Sequence, residues 1–204
     1  MAAGTTSPDS TVPAPGGRPA DTDVTKRILA ATVDLVAQHG YDALRMEHVA
    51  KQAGCGKPAI YRRYTDKAEL VAAAAMTVLQ LGDLPDTGNV EEDLLEHALV
   101  NRANQQAPGA PATAGSVILA AFEPAVFALL WEQFFRHRRD QGAAIIERAI
   151  TRGELPVDVD VDVLLDTIAG LTLYRQTVKQ IDIPVEQYRA VIAALVAHPP
   201  RRSK

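Results

Sequence analysis

An all-α fold of about nine helices is predicted by three features of the sequence. Apolar residues recur at the i, i+3, i+4, i+7 spacing of amphipathic helices. No segment alternates at the two-residue period of a strand. Alanine is abundant and only 5% of residues are aromatic, a composition that suits closely packed helices. With 204 residues, 47% of them hydrophobic, the chain is long enough for one large domain or for a small one joined to a larger one.

The elements follow in order. Residues 1–21 are rich in Pro, Gly, Ala, Ser and Thr and have no apolar face, so ordering them gains little against its entropic cost; a flexible arm is expected. A helix is expected from Val24 to His39, with Ile28, Thr32, Leu35 and Val36 on one face and Gly40 as its stop. Met46, Val49, Ala50 and Ala53 define a second helix, 46–53. Gly54-Cys55-Gly56 then makes a turn, and Lys57-Pro58 opens a third, short, basic helix whose Ile60 and Tyr64 face inward. Asp66 is placed to cap a helix from Lys67 to Leu81.

The stretch from Gly82 to Asn89 breaks the chain. Helices near Glu91–Asn104 and Ser116–Phe122 flank a Pro/Ala/Gly loop, Ala107–Gly115, and Pro124 opens a long helix reaching Arg152. After a loop from Gly153 to Val159 come two helices, 160–179 and 184–197, and a short basic tail. The reading divides the chain into an arm (1–21), a helix-turn-helix domain (22–68), a C-terminal domain (69–198) and a tail (199–204).

Charge is distributed unevenly. The formal net charge is −4, which excludes a generally basic nucleic-acid coat. Residues 45–67 nevertheless hold Arg45, Lys51, Lys57, Arg62, Arg63 and Lys67 against only Glu47 and Asp66. A helix, a glycine turn and a basic helix present one helix end to the DNA major groove, and a local positive patch in an acidic protein fits that use.

Other classes find little support. The one cysteine, Cys55, excludes an internal disulfide and fits a reducing cytoplasm; it reads as a small apolar core residue, with a redox-sensitive thiol beside the turn as the alternative. No secretory leader is evident, and the apolar runs are too short to cross a bilayer, so a cytoplasmic protein without a membrane partner is expected. His39, His48, His97, His137 and His198 show no metal-type pairing, and no phosphate loop or nucleophile–base motif occurs. No metal, cofactor or enzymatic activity is expected.

The last two helices are apolar on more than one side and therefore need burial on more than one side. A second copy of the chain is the economical partner, with Leu164, Ile168, Leu171, Tyr188, Ile192 and Leu195 as candidate residues of a homodimer interface.

The stretch from Ile28 to Val71 resembles the DNA-binding domain of the TetR family of bacterial transcriptional regulators. The resemblance is carried by His39-Gly40-Tyr41-Asp42, Val49-Ala50, Ala53-Gly54, Lys57, Ile60-Tyr61, Tyr64 and Lys67-Ala68-Glu69-Leu70. Arg152-Gly153-Glu154-Leu155, Val159-Asp160 and Leu164 to Arg175 look like one variety of the family's C-terminal domain. The resemblance implies a homodimeric regulator, usually a repressor, that binds a palindromic operator in double-stranded DNA and leaves it when a small-molecule effector enters the C-terminal domain. Two positions depart from the pattern. Cys55-Gly56 stands where a Val and a Ser or Thr are common, and Arg45 where a Thr or Ser is common.

By position in the motif, Lys57, Pro58 and Ala59 are expected at base edges, and Tyr61, Arg62, Arg63 and Lys67 at phosphates. Arg45 is expected to reach a phosphate in place of the missing hydroxyl. Lys26 and Arg27 either touch the DNA backbone or are solvated. For an effector cavity the candidates are the aromatics Phe127, Trp131, Phe134 and Tyr174, joined by His97, Asn101 and Arg175. Two other readings stay open: a DNA-binding regulator without a ligand, constitutive or controlled by a partner and an activator as readily as a repressor, and a helical small-molecule binding protein that no longer engages DNA.

Overall fold

The computed structural model describes residues 18–105 and 117–203, and among these it is helical apart from turns, connectors and a single antiparallel bridge. Helix α1 (Arg18–Ala43) starts inside the stretch expected to be an arm; the rest of that arm, and the loop expected at 107–115, lie outside the described residues. Gly40, with φ 78° and ψ 170°, breaks α1 near its end, in a backbone region that is almost exclusive to glycine. On the inward face of α1, Ile28, Leu35 and Val36 are buried together with Thr32, whose hydroxyl donates to the Ile28 carbonyl at 2.8 Å.

Helix α2 (Met46–Ala53) has the expected bounds and buries Met46, Val49, Ala50 and Ala53. Gly54 ends it in the left-handed conformation, φ 64°, and turns the chain into α3 (Lys57–Tyr61). Asp66 caps α4 (Lys67–Ala75) by accepting from the Glu69 amide at 2.8 Å. The Glu69 carboxylate returns to the Thr65 amide and hydroxyl, both at 2.7 Å, closing the first turn from both sides.

Helix α4 stops at Ala75, short of the expected Leu81. Side chains of the C-terminal domain claim the following backbone instead. Asn104 bonds both the amide and the carbonyl of Gln80, Arg138 donates to the Leu81 carbonyl, and Gln141 donates to the Gly82 carbonyl.

Helix α5 (Val90–Gln105) is followed by the short α6 (Val117–Ala120) and by α7 (Pro124–Leu130). A π-helical turn, Trp131–Phe135, leads from α7 into α8 (Arg136–Arg152), so the expected long helix exists but carries one widened turn. Helix α9 (Val161–Leu173) ends in a second π-helical turn, Tyr174–Val178, and α10 (Val185–Ala197) closes the fold. The basic tail folds back: Val159 and Arg201 form the antiparallel bridge, and Asp160 and Arg202 donate amides to Pro200 and Asp158.

Two apolar cores result. The first joins α1 to α4 with Ala120, Ala121, Val126, Leu130 and Phe134, so it extends beyond the expected 22–68 domain into α6 and α7. The second joins α5, α8, α9 and α10 around Leu94, Ile145, Leu164, Ile168, Tyr188 and Ile192. Tyr188 is fully buried, and its hydroxyl shares a 2.8 Å hydrogen bond with Thr172, tying α10 to α9.

The residues expected at a dimer interface are not equivalent in the fold. Leu164, Ile168, Tyr188 and Ile192 are buried within one chain because α5 and α8 already cover that face. Leu171 and Leu195 are only partly buried. The outward side of α9 and the turn after it carries Val163, Tyr174 and Val178, which are 49%, 52% and 64% exposed.

Candidate nucleic-acid interface and ligand cavity

Helix α3 is held from below by Ile60, fully buried, and by Tyr64, 8% exposed, which leaves its opposite side on the surface. Gly56 serves as its N-cap without a side-chain hydrogen bond, and Pro58 occupies the first turn, where a missing amide hydrogen costs nothing. Lys57, Pro58, Tyr61 and Arg62 are exposed and Ala59 is partly so. Cys55 is half-buried and packs against the first core, as a small apolar residue would.

The basic side chains expected at phosphates are not equivalent. Arg63 turns inward: its Nε donates to the Thr25 hydroxyl at 2.9 Å and one terminal nitrogen to the Ala59 carbonyl at 2.7 Å, so it binds α3 to α1. The Lys67 ammonium lies 3.9 Å from the centre of the Tyr41 ring and donates to the Tyr41 carbonyl at 3.1 Å. Arg45 folds back on the Asp42 and Leu44 carbonyls at 2.6 and 3.2 Å. Lys57 is ion-paired with Glu47 at the start of α2, and that ammonium holds the Glu47 carboxyl below the usual carboxylate range. Arg27 donates through Nε to the Ala53 carbonyl at 3.0 Å and so ties α1 to the end of α2.

A cavity of about 380 Å³ lies between α5, α7 with its π-helical turn, α8 and α9. Of the side chains expected to line it, His97, Asn101, Phe127 and Trp131 do so. Phe134 instead points into the first core and is 4% exposed, while Tyr174 and Arg175 fall outside the lining. Phe134 joins the first core, while Trp131 and Phe135, with Phe127, form an aromatic wall; Phe127 lies 5.8 Å from Trp131 and 5.7 Å from Phe135, ring centre to ring centre.

The polar side of the cavity contains residues that sequence reasoning missed. Arg138, 7% exposed, donates to the His97 carbonyl at 2.6 Å as well as to Leu81, and His97 Nε2 lies 3.0 Å from the Arg138 carbonyl. Burial, with the Arg138 charge beside it, pushes His97 down to about 4, so its ring is neutral at pH 7. Arg139, also in the lining, pairs with Asp162 and Asp166 of α9. A spacing signal for Arg138 exists: Trp131, Phe135, Arg138 and Gly142 fall at i, i+4, i+7 and i+11 on one helical stripe. Among the described residues no cluster of three His, Cys, Asp or Glu could hold a metal ion, and no helix is long and apolar enough to cross a membrane.

Comparison with known proteins matches both halves. Residues 28–74 match the model for bacterial regulatory proteins of the tetR family, and residues 84–195 match that for the tetracyclin repressor-like C-terminal domain. An HTH-type transcriptional regulator of Mycobacterium tuberculosis is 33% identical over 154 residues, which span 74% of this chain and 75% of the relative. A DNA-binding transcriptional repressor of Mycobacteroides abscessus is 32% identical over 156 residues, 74% of this chain and 80% of the relative. Solved structures share the fold. The fatty acid degradation regulator FadR of Bacillus halodurans superposes with a TM-score of 0.65 at 17% identity, over 84% of this chain and 93% of that one. A TetR-family regulator of Haemophilus influenzae gives 0.57 at 23% identity, over 89% and 99%. With a family match in each domain and relatives that are themselves transcriptional regulators, the chain belongs to the TetR family of bacterial helix-turn-helix transcriptional regulators.

Proposed function

We infer that the protein is a dimeric repressor that occupies a two-fold operator through α3 and leaves it when a small molecule fills the cavity. The observation that carries this reading is the double duty of α7 and its π-helical turn. Val126, Leu130 and Phe134 pack into the core that supports α3, while Phe127, Trp131 and Phe135 form the aromatic wall of the cavity. An occupant that displaces the wall therefore bears on the DNA-binding domain through one continuous helix.

On the DNA side, Lys57, Pro58 and Ala59 read bases, and Tyr61 and Arg62 hold phosphates; their exposure supports these roles. Arg63 and Lys67 act chiefly by fixing the helix, and Arg45 reaches a phosphate only by leaving the Asp42 carbonyl. The second copy is met through the outward side of α9 and α10, with Val163, Leu171, Tyr174 and Leu195 in contact. The repressor sign is supported by the Mycobacteroides relative, named as a repressor, and the cytoplasm follows from the work on DNA.

The test combines light scattering with fluorescence anisotropy on the gene's own upstream region. A dimer that prefers this DNA to random duplex at physiological salt is expected. Equal affinity for the two duplexes would sink the reading.

A further inference from the structure

Arg138 differs from most arginines of the C-terminal domain, which pair with carboxylates; Arg175 shares its lack of one but lies outside the cavity lining. Arg102 pairs with Asp182, Arg139 with Asp162 and Asp166, Arg152 with Glu154 and Arg189 with Glu92. Arg138 is the most buried of these, 7% exposed, and among the described residues its hydrogen bonds go only to neutral oxygens: the Leu81 and His97 carbonyls and Gln141 Oε1, at 2.7, 2.6 and 3.0 Å. Its environment holds it down to about 10 by burial, which leaves it charged at neutral pH. A buried guanidinium without a counter-charge is costly and carries a standing attraction for an anion.

This cation lines a cavity whose remaining wall is dominated by Phe122, Phe127, Trp131, Phe135 and Leu165. The volume of about 380 Å³ lies toward the small end of ordinary ligand sites. Carboxylates nearby do not neutralise it: Asp166, also in the lining, is bound to Arg139 at 2.9 Å. We propose that the cavity takes an amphipathic carboxylate, its apolar body against the aromatic wall and its acid group on Arg138, and that this pairing draws Arg138 away from the Leu81 carbonyl. The second half follows from geometry. The planar fork that would meet a carboxylate is the same fork that now holds the connector from α4, so the acid and Leu81 compete for it. This inference rests on the cavity being the effector site.

Trp131 is the only tryptophan and lines the cavity, so its emission reports occupancy directly. The full-length protein is titrated with octanoate, decanoate and 2-naphthoate and, separately, with the primary amide of each. The acids are expected to bind about tenfold or more tightly than their amides, as a charge-assisted bidentate pair requires, and to release labelled operator where the amides do not. Arg138→Met is expected to erase the preference for acids. Because that variant loses three hydrogen bonds and can misfold, the acid–amide comparison on the unaltered protein is decisive by itself, and Arg138→Lys is expected to retain part of the preference.

Amides that bind as tightly as acids, or acids that leave Trp131 unchanged, overturn the pairing. Acids that bind while the operator complex persists overturn the competition with Leu81. A protein that never prefers its operator fails the repressor reading instead, and the acid preference is then judged on Trp131 alone.

Discussion

The ammonium of Lys57, the first residue of α3, is ion-paired with the carboxylate of Glu47 in the first turn of α2. The residue proposed to read a base is thus held by an acidic neighbour in the DNA-free protein. Glu47→Gln removes the partner and a negative charge from the DNA-facing surface. Tighter binding to operator is expected, with a salt dependence steeper by about one counterion. Unchanged affinity and slope in a salt titration would mean that Lys57 takes no part in binding.

Arg62 and Arg63 are adjacent in sequence and differ in placement, Arg62 exposed and Arg63 turned inward. Arg63 joins α3 to Thr25 and Ala59, so Arg63→Ala is expected to lower stability by about 1 kcal/mol, as for a lost hydrogen-bonded link. Arg62 is exposed on the α3 side, so Arg62→Ala is expected to leave the melting temperature in place and reduce the salt slope of DNA binding by about one. Thermal melts beside salt titrations separate the two; a reversed pattern would exchange their roles.

Gly40 and Gly54 both sit where an added Cβ meets nothing within 4 Å, so alanine there tests backbone conformation alone. Gly54, at φ 64° and ψ 39°, occupies the left-handed helical region, where alanine costs about 1 kcal/mol. Gly40, at φ 78° and ψ 170°, lies in a region more hostile to side chains, and Gly40→Ala is expected to cost about 2–3 kcal/mol. Urea denaturation should rank Gly40→Ala as the more damaging. Equal costs would contradict the Gly40 geometry.

Local chemistry made the DNA-binding half readable. The bounds of α2, the Gly54 turn, the inward Ile60 and Tyr64 and the Asp66 cap all follow from residues within a few positions of one another. Legibility fails where a distant partner decides. Helix α4 was expected to run to Leu81, but Asn104, Arg138 and Gln141, far along the chain, take the backbone of residues 80–82. The partners that hold Lys67 and Arg63, Tyr41 and Thr25, lie 26 and 38 residues away and are not visible in the local motif. Periodicity likewise marked Leu164 and Tyr188 as needing burial without saying whose surface would supply it.

The cavity shows the same limit more sharply. Its aromatic wall was half legible, because Trp131 and Phe127 are conspicuous in a chain poor in aromatics. The π-helical turn at Trp131–Phe135 has no signal in the spacing of the apolar residues, which reads as one uninterrupted helix from Pro124. Arg138 was hidden inside Arg136-His137-Arg138-Arg139-Asp140, which reads as a solvated face until its helical stripe with Trp131 and Phe135 is traced.

His97, on the polar side of that cavity, makes stability depend on pH. Burial and the neighbouring guanidinium hold its folded-state value at about 4, against 6.5 for an exposed histidine. Between these values the unfolded chain binds the proton and the folded chain does not, so stability rises with pH through the window. The contribution is complete above about pH 6.5 and is lost as pH falls toward 4. His97→Gln can keep a donor to the Arg138 carbonyl and does not titrate. Between pH 7 and pH 5 the unaltered protein is expected to lose about 2 kcal/mol more than this variant. Carboxyls held low in the fold, such as Glu69 and Asp182, lose their contribution in the same direction as pH falls, but in both proteins alike, so the difference isolates His97. Urea denaturation at the two pH values measures it, and parallel losses in the two proteins would show that the His97 ring is solvated rather than buried.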